Sequence, residues 1–422
     1  MKNYHQASTG PLLPRQARAL LTGALVAGVL STASCGDGGP AGPGADDPAA
    51  SGGGAADPAS GGASSGGAVA SGGGAGAGGA PSSGGTSGAG GSGEEPASGG
   101  SGGGSGDPTC DIGIGDGSEP EVLTLSGNTF AHDPTMIKVG STYYRYWTGD
   151  HIPAATSTNL THWTDAPTIY GGQYPPWVST WLANTPGNTF NFPWAPDVVA
   201  FNGAVHLYSS FSAKFGDNIS CITHLSTTDI ASNTWTDHGP ILCTQGHENY
   251  NAIDADVALD QDGTPWLAFG SFWNGIYGFE LNADGSRAND SMTRLAWAPQ
   301  IEAPVLFYRC GYYYLFVTWG LCCPGEGRSI DDLTYRVAVG RSTDIMGPYV
   351  DRDGTPLLDG GGTLIVQGDK VEWAAAGHGD VLVDGDSVYH LYHAYRQSNG
   401  HPALRIAELL FDDEGWPLPH RP

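Results

Sequence analysis

Four side chains in this sequence have the types and the spacing of a reaction centre. Each stands at the start of a short apolar run that ends in a glycine turn. Asp254 lies nine residues before Gly263 and Glu302 nine before Gly311, while Asp133 lies seven before Gly140 and His378 seven before Gly385. Nine and seven share parity, and side chains on a strand alternate faces with period two. If these runs are strands set round one axis, the four side chains all point into it. Spacing alone leaves two ambiguities. Asp256 is seven before Gly263 and so competes with Asp254, and Asp197 is six before Gly203, off parity.

Three carboxylates converging at one mouth are costly unless they react or bind a cation. Glycosidic hydrolysis needs two of them, an acid to protonate the leaving oxygen and a base to activate water. A third nearby carboxylate raises the acid's pKa by like-charge repulsion. The aromatics beside the acidic runs, Trp194, Phe272, Trp273 and Trp319, suit stacking on sugar faces, and Phe215 is placed with them as a substrate contact. Packing between strands is the competing reading, above all for Trp319. Other apparent motifs are empty. His390 and His393 are three apart, which on a strand sets them on opposite faces. The glycine runs near the N-terminus precede no phosphate-binding lysine.

The elements that must hold such a centre are strands. Turn dipeptides such as Asp262-Gly263, Cys310-Gly311, Asp353-Gly354 and Asp384-Gly385 punctuate alternating runs, and no amphipathic run is long enough to predict a helix. A repeat recurs five times: HDPTMIKVGSTYYRYW from His132, WAPDVVAFNGAVHLYSSF from Trp194, IDADVALDQDGTPWLAFGSFW from Ile253, IEAPVLFYRCGYYYLFVTW from Ile301, and GHGDVLVDGDSVYHLYHAY from Gly377. Intervals of about 50 to 75 residues match propeller blades of four strands. The predicted fold is an all-β, five-bladed β-propeller over 110–422.

What precedes it is of another kind. Residues 1–34 have the form of a signal peptide: Lys2, Arg15 and Arg18, then the apolar Leu20–Leu30, then small residues before Cys35. That order resembles a bacterial lipoprotein signal with Cys35 as the lipidated residue, and predicts a secreted, envelope-bound protein. Residues 35–109 form a Gly/Ser/Ala-rich tether with too little apolar surface to offset its ordering entropy. Without Cys35, six of the seven cysteines remain to pair in an oxidising compartment. Cys221 and Cys243 flank a hairpin and are the preferred pair. The adjacent Cys322 and Cys323 fit a loop facing the cleft. The formal net charge of −26, from 17 Lys+Arg and 43 Asp+Glu, excludes a nucleic-acid-binding face and disfavours an acidic polysaccharide. A neutral polymer is compatible with it.

The stretches HDPTMIK, PWAPDV, NAID, DGTPWLAFGSFWNGI, IEAPVLFYRCGYYYLF with the following CC, and GHGDV with LYHAY resemble glycoside hydrolase family 43, and within it the endo-α-1,5-L-arabinanases. The resemblance covers Phe130–Pro419. It implies a monomeric five-bladed propeller that cuts arabinan with inversion. Asp133 then corresponds to the general base, Glu302 to the general acid, and Asp254 to the residue that tunes and orients the acid. Trp194, Asn251 and Trp273 correspond to positions lining the sugar cleft. His378 resembles the histidine near an axial metal, often calcium, which it would hold directly or through water. The family usually has proline after the NAID aspartate, where this chain has Ala255 and Asp256. Two other readings stay open: an exo-acting α-L-arabinofuranosidase or β-xylosidase, and a non-catalytic carbohydrate-binding propeller. GSFWNGI and the CC loop favour endo action, and the intact Asp133 and Glu302 favour catalysis.

Overall fold

The computed structural model describes residues 107–325 and 328–422. The expected signal peptide, Cys35 and nearly all of the tether lie outside them. The described chain forms five sheets, each antiparallel apart from one two-residue parallel edge. Their innermost strands are Thr135–Val139 (blade I), Trp194–Phe201 (II), Asp256–Leu259 (III), Ile301–Arg309 (IV) and Trp373–Asp384 (V). This is the predicted five-bladed propeller.

The hydrophobic clusters lie between neighbouring blades. Ala268, Ile276 and Leu295 of blade III meet Ile301, Leu315 and Val317 of blade IV. Met136 and Trp163 of blade I meet Leu391 and Ile406 of blade V. A strand covered on both faces needs no polar alternation, which is why Tyr312–Trp319 reads as continuous apolar and aromatic residues. Truncating a fully buried residue such as Leu315 to alanine costs about 2–5 kcal/mol.

Blade V takes only three strands from the C-terminal part of the chain. Its outer edge, Pro402–Glu408, is covered by the segment before blade I. Leu404 donates its N–H to the carbonyl of Thr129, and Leu123 to that of Ile406. The two ends of the domain thus meet in one blade, which closes the ring and hides an edge that would otherwise seek a partner.

Below the mouth, side chains stitch each blade to the next. Thr135 Oγ1 accepts from the N–H of Val198 (3.1 Å), Asp197 from Val257 (3.0 Å), Asp256 from Leu306 (2.7 Å), and Asp380 from Met136 (3.0 Å). Blade IV carries Val305 at the matching place and so no acceptor there; at the level of the mouth, Thr318 of its second strand accepts from His378 (3.0 Å). Asp197 and Asp256 therefore sit one layer beneath the mouth, with Asp380. Asp256 does not compete with Asp254, and burial and the neighbouring Asp197 and Asp380 push its carboxyl well above the usual range. Asp197 reaches the axis despite its parity because bulges near the mouth break the alternation. Ala195 holds the blade II place at the level of Asp133 and Asp254.

Two local features were not foreseen. Residues 107–109, expected in the tether, belong to the propeller: Asp107 caps the short helix Pro108–Asp111, and Thr109 Oγ1 accepts from the N–H of Cys310 (2.7 Å). An α-helix spans Pro176–Ala183, opening on proline and carrying Trp177 and Trp181 one turn apart. Eight residues are too few for periodicity to register. Cys221 and Cys243 pair as expected, across two adjacent strands. The sequence left the other four open; Cys110 is bonded to Cys310, and Cys322 to Cys323.

Candidate active site

At the mouth of the axis a cavity of about 820 Å³ opens. It is lined by Asp133, Asp254, Glu302, His378, Trp194, Asn251, Trp273 and Phe215, all expected from the sequence. Phe272 joins them. Trp319 does not line it; its ring packs against the cluster between blades III and IV and under the Arg336 guanidinium.

The backbone delivers the axial side chains in a rare conformation. Asp133, Ala195, Asp254 and His378 have φ of 51°, 42°, 58° and 40°. A non-glycine residue in this region costs on the order of 1–3 kcal/mol and persists only where its surroundings over-determine it. The restraint comes from the preceding blade. Thr148 Oγ1 accepts from the N–H of Ala195 (2.7 Å), Ser210 Oγ from Asp254 (3.0 Å), Thr318 Oγ1 from His378, and His393 Nδ1 from Asp133 (3.1 Å). Phe272 and Trp273 share the same backbone region, with φ of 53° and 38°. Trp194 meets Phe215 edge to face at 6.0 Å, and Phe215 is 40% exposed at the rim.

The electrostatics separate the carboxyls. Burial alone would raise Asp133, but His132 and His378 reverse that and hold it well below the usual carboxylate range. His378 Nδ1 lies 3.1 Å from Asp133 Oδ1, and Thr148 donates to Oδ2 at 2.6 Å. Burial opposes charge on His378 too, yet Asp133 pulls it up to about 9, so the two form an ion pair at neutral pH. His393, fully buried, stays neutral and uses Nδ1 as an acceptor. Glu302 is raised by burial, with the nearby Asp133 adding to the rise. The hydroxyls of Tyr335 and Ser271 donate to its two oxygens and hold that rise in check. Asp254 is raised well above the carboxylate range, again by burial first and then by Glu302 and Asp133. Asp133 is thus lowered while Glu302 and Asp254 are raised, which is the separation that acid and base work requires.

Thr148, Ser271, Tyr335, His132 and His393 were missed by sequence reasoning. A signal existed for some. Thr148, Ser210, Ser271, Thr318 and His393 recur near the end of the second, aromatic-rich strand of each repeat. His393 was set aside with His390 as a metal pair, and the two do part company: His390 faces His420 at 2.9 Å, whereas His393 serves the site.

The profile of glycosyl hydrolases family 43 matches residues 127–417. The chain belongs to that family. An extracellular endo-α-(1→5)-L-arabinanase of Bacillus subtilis (strain 168) is 38% identical over 300 residues, 69% of this chain and 88% of the relative. An extracellular exo-α-(1→5)-L-arabinofuranosidase of Cellvibrio japonicus (strain Ueda107) is 35% identical over 307 residues, 68% of this chain and 85% of the relative. The solved structure of a family 43 endo-arabinanase from Bacillus licheniformis is 38% identical, covers 70% of this chain and 99% of its own, and superposes with a TM-score of 0.64. As a family 43 member, the protein is a glycoside hydrolase.

Proposed function

We propose that this family 43 enzyme cleaves internal α-1,5-L-arabinofuranosyl bonds of arabinan, with inversion. The observation that carries the chemistry is the opposite tuning of two carboxyls on one cavity, Asp133 lowered by its histidines and Glu302 raised by burial. Asp133, oriented by Thr148 and His378, takes a proton from water as that water attacks the anomeric carbon. Glu302 gives its proton to the departing sugar oxygen. Asp254, whose carboxyl is raised by burial and in part by Glu302, tunes the acid and helps orient it. Trp194, Phe215, Asn251 and Trp273 bind the furanosyl units. The endo assignment draws on the likeness to endo-arabinanases. The exo reading draws on the Cellvibrio relative and predicts a different product pattern. Linear arabinan given to the isolated domain tests this. Viscosity should fall faster than reducing ends appear, and the first products should be β-configured oligomers. Release of single arabinose units from the outset would overturn the endo assignment, and α-products the inverting one.

Calcium belongs to the same proposal. It takes six to eight oxygens, and the cavity gathers three carboxylates round His378, with room for water to complete a shell. Among the described residues, the groups of three or more convergent ligands are His132–Asp133–His393 and Asp197–Asp256–Asp380, and neither contains His378. His378 would therefore hold calcium by one nitrogen or through water. A bound cation would replace the proton on His378 as the charge that balances the carboxylates. Export, with lipid attached at Cys35, completes the reading. Both curated relatives described above are named extracellular, and a Cys35→Ser chain released from the envelope would support the anchor, whereas an unacylated wild type would refute it.

A further inference from the structure

Cys322 and Cys323 are bonded to each other, and the fold does not account for the bond. A disulfide stabilises chiefly by shortening loops of the unfolded chain, an effect that grows with the residues enclosed. Cys110–Cys310 spans 200 residues and Cys221–Cys243 spans 22. The adjacent pair encloses none. It braces no strands either, since both cysteines lie in the irregular stretch after Tyr312–Trp319. Its effect must be local, on the surface where it sits.

That surface is the active-site cavity, whose wall includes Leu321, Cys322, Cys323 and Tyr335. Cys323 Sγ is 3.4 Å from the Tyr395 hydroxyl and 3.8 Å from Nε2 of His132. The same His132 nitrogen is 3.8 Å from Asp133 Oδ1. Cys323 has φ of 65°, a conformation that a residue with a Cβ holds only under constraint. Two sulfurs closed into one small ring are stiff, polarizable and poor hydrogen-bond partners. Such a surface suits the C–H face of a sugar ring better than its hydroxyls.

We propose that the Cys322–Cys323 disulfide is a binding element of the sugar cleft, presenting a rigid apolar face to one furanosyl unit on the His132 side of Asp133, so that opening the bond weakens substrate binding. This rests on the reading of the cavity as an arabinan site. A phosphine would open the bond by taking the oxygen of one water to become its oxide. The two sulfurs would gain the two electrons and the water's two protons, giving two thiols.

The test compares steady-state kinetics on linear arabinan for the wild type and a Cys322→Ser/Cys323→Ser double variant, each with and without a phosphine. The double variant should show KM raised roughly five- to tenfold, which is about 1–1.4 kcal/mol of binding, with kcat changed far less. Phosphine should raise the wild-type KM toward the same value and leave the double variant's KM where it is, which separates this bond from the other two. An unchanged KM in the double variant, a loss confined to kcat, or a lower melting temperature without a change in KM would each overturn the inference. Should the double variant fail to fold, a wild-type KM indifferent to phosphine, with the Cys322–Cys323 bond shown open by thiol labelling, overturns it alone. A wild type inactive on arabinan would instead refute the substrate reading beneath it.

Discussion

Replacing Tyr335 with phenylalanine should change the pH range of this enzyme in a direction set by one hydrogen bond. Tyr335 is 2% exposed and its hydroxyl donates to one oxygen of Glu302, while Ser271 donates to the other at 2.8 Å. A hydroxyl donated to a carboxylate is worth about 1.5–3 kcal/mol, against about 0.5–1.5 kcal/mol for one donated to a neutral acid. The difference, about 1–1.5 kcal/mol, favours the ionised form and corresponds to roughly one pKa unit. Tyr335 itself stays neutral, because burial and the nearby Glu302 push its phenol well above its ordinary value. Without the hydroxyl, Glu302 keeps its proton to higher pH. The basic limb of kcat/KM, which reports loss of the general acid, should therefore move up by about one unit in Tyr335→Phe. The acid limb, set by Asp133, should stay. Ser271→Ala should move the basic limb the same way. The assay is the pH profile of kcat/KM on linear arabinan for wild type and both variants. A basic limb that stays or moves down in Tyr335→Phe would refute the assignment of Glu302 as an acid tuned by this bond.

Three further outcomes follow from the fold and the site. Asp256 is raised by burial and by Asp197 and Asp380, so its contribution to stability is full below the unfolded carboxylate pKa and is lost as pH rises through the folded value. Asp256→Asn retains an acceptor for the Leu306 N–H, and it should melt a few degrees above wild type at pH 8 and no higher at pH 4, by calorimetry; a lower melting temperature at pH 8 would contradict the like-charge account. Removing Cys110–Cys310, which closes 200 residues, should cost about 5 kcal/mol and removing Cys221–Cys243, which closes 22, about 3 kcal/mol, as measured by denaturant unfolding; the reverse order would count against loop closure as the cause. Chelation should lower both activity and melting temperature, with calcium restoring them, and full activity in a metal-free preparation would end the calcium proposal.

The axial residues were legible because a propeller repeats one strand–turn–strand unit, so equivalent positions can be counted from equivalent turns. The count worked for Asp133, Asp254 and His378, whereas Glu302 reaches the same cavity from one residue before the equivalent place, which Ala303 holds with φ of 55°. It failed for Asp197, since bulges at the mouth shift the register of the inner strands and leave Ala195 in the place that parity assigned elsewhere. The residues that tune the acid and base were harder to see. Thr148 follows the second strand of blade I, His393 lies on that of blade V, Ser271 follows that of blade III, and Tyr335 immediately precedes Arg336–Ser342 of blade IV. They reach the site only when blades pack side by side, which no local pattern reports. The helix Pro176–Ala183 was hidden by its length. Two of the three disulfide pairings were unreadable because one spans the whole ring and the other joins neighbours.

The pairing of Asp133 as base with Glu302 as acid is tested most directly by asking how each variant responds to a leaving group that needs no proton. Rates of Glu302→Ala and Asp133→Ala should be measured on linear arabinan and on an arabino-oligosaccharide with an activated aryl leaving group. Loss of the acid should cost about 10²–10⁴-fold on arabinan and far less on the aryl substrate. Loss of the base should cost a similar factor on both, since water must be activated in each. Equal losses for the two variants across both substrates, or rescue of Asp133→Ala instead of Glu302→Ala by the aryl leaving group, would contradict the account.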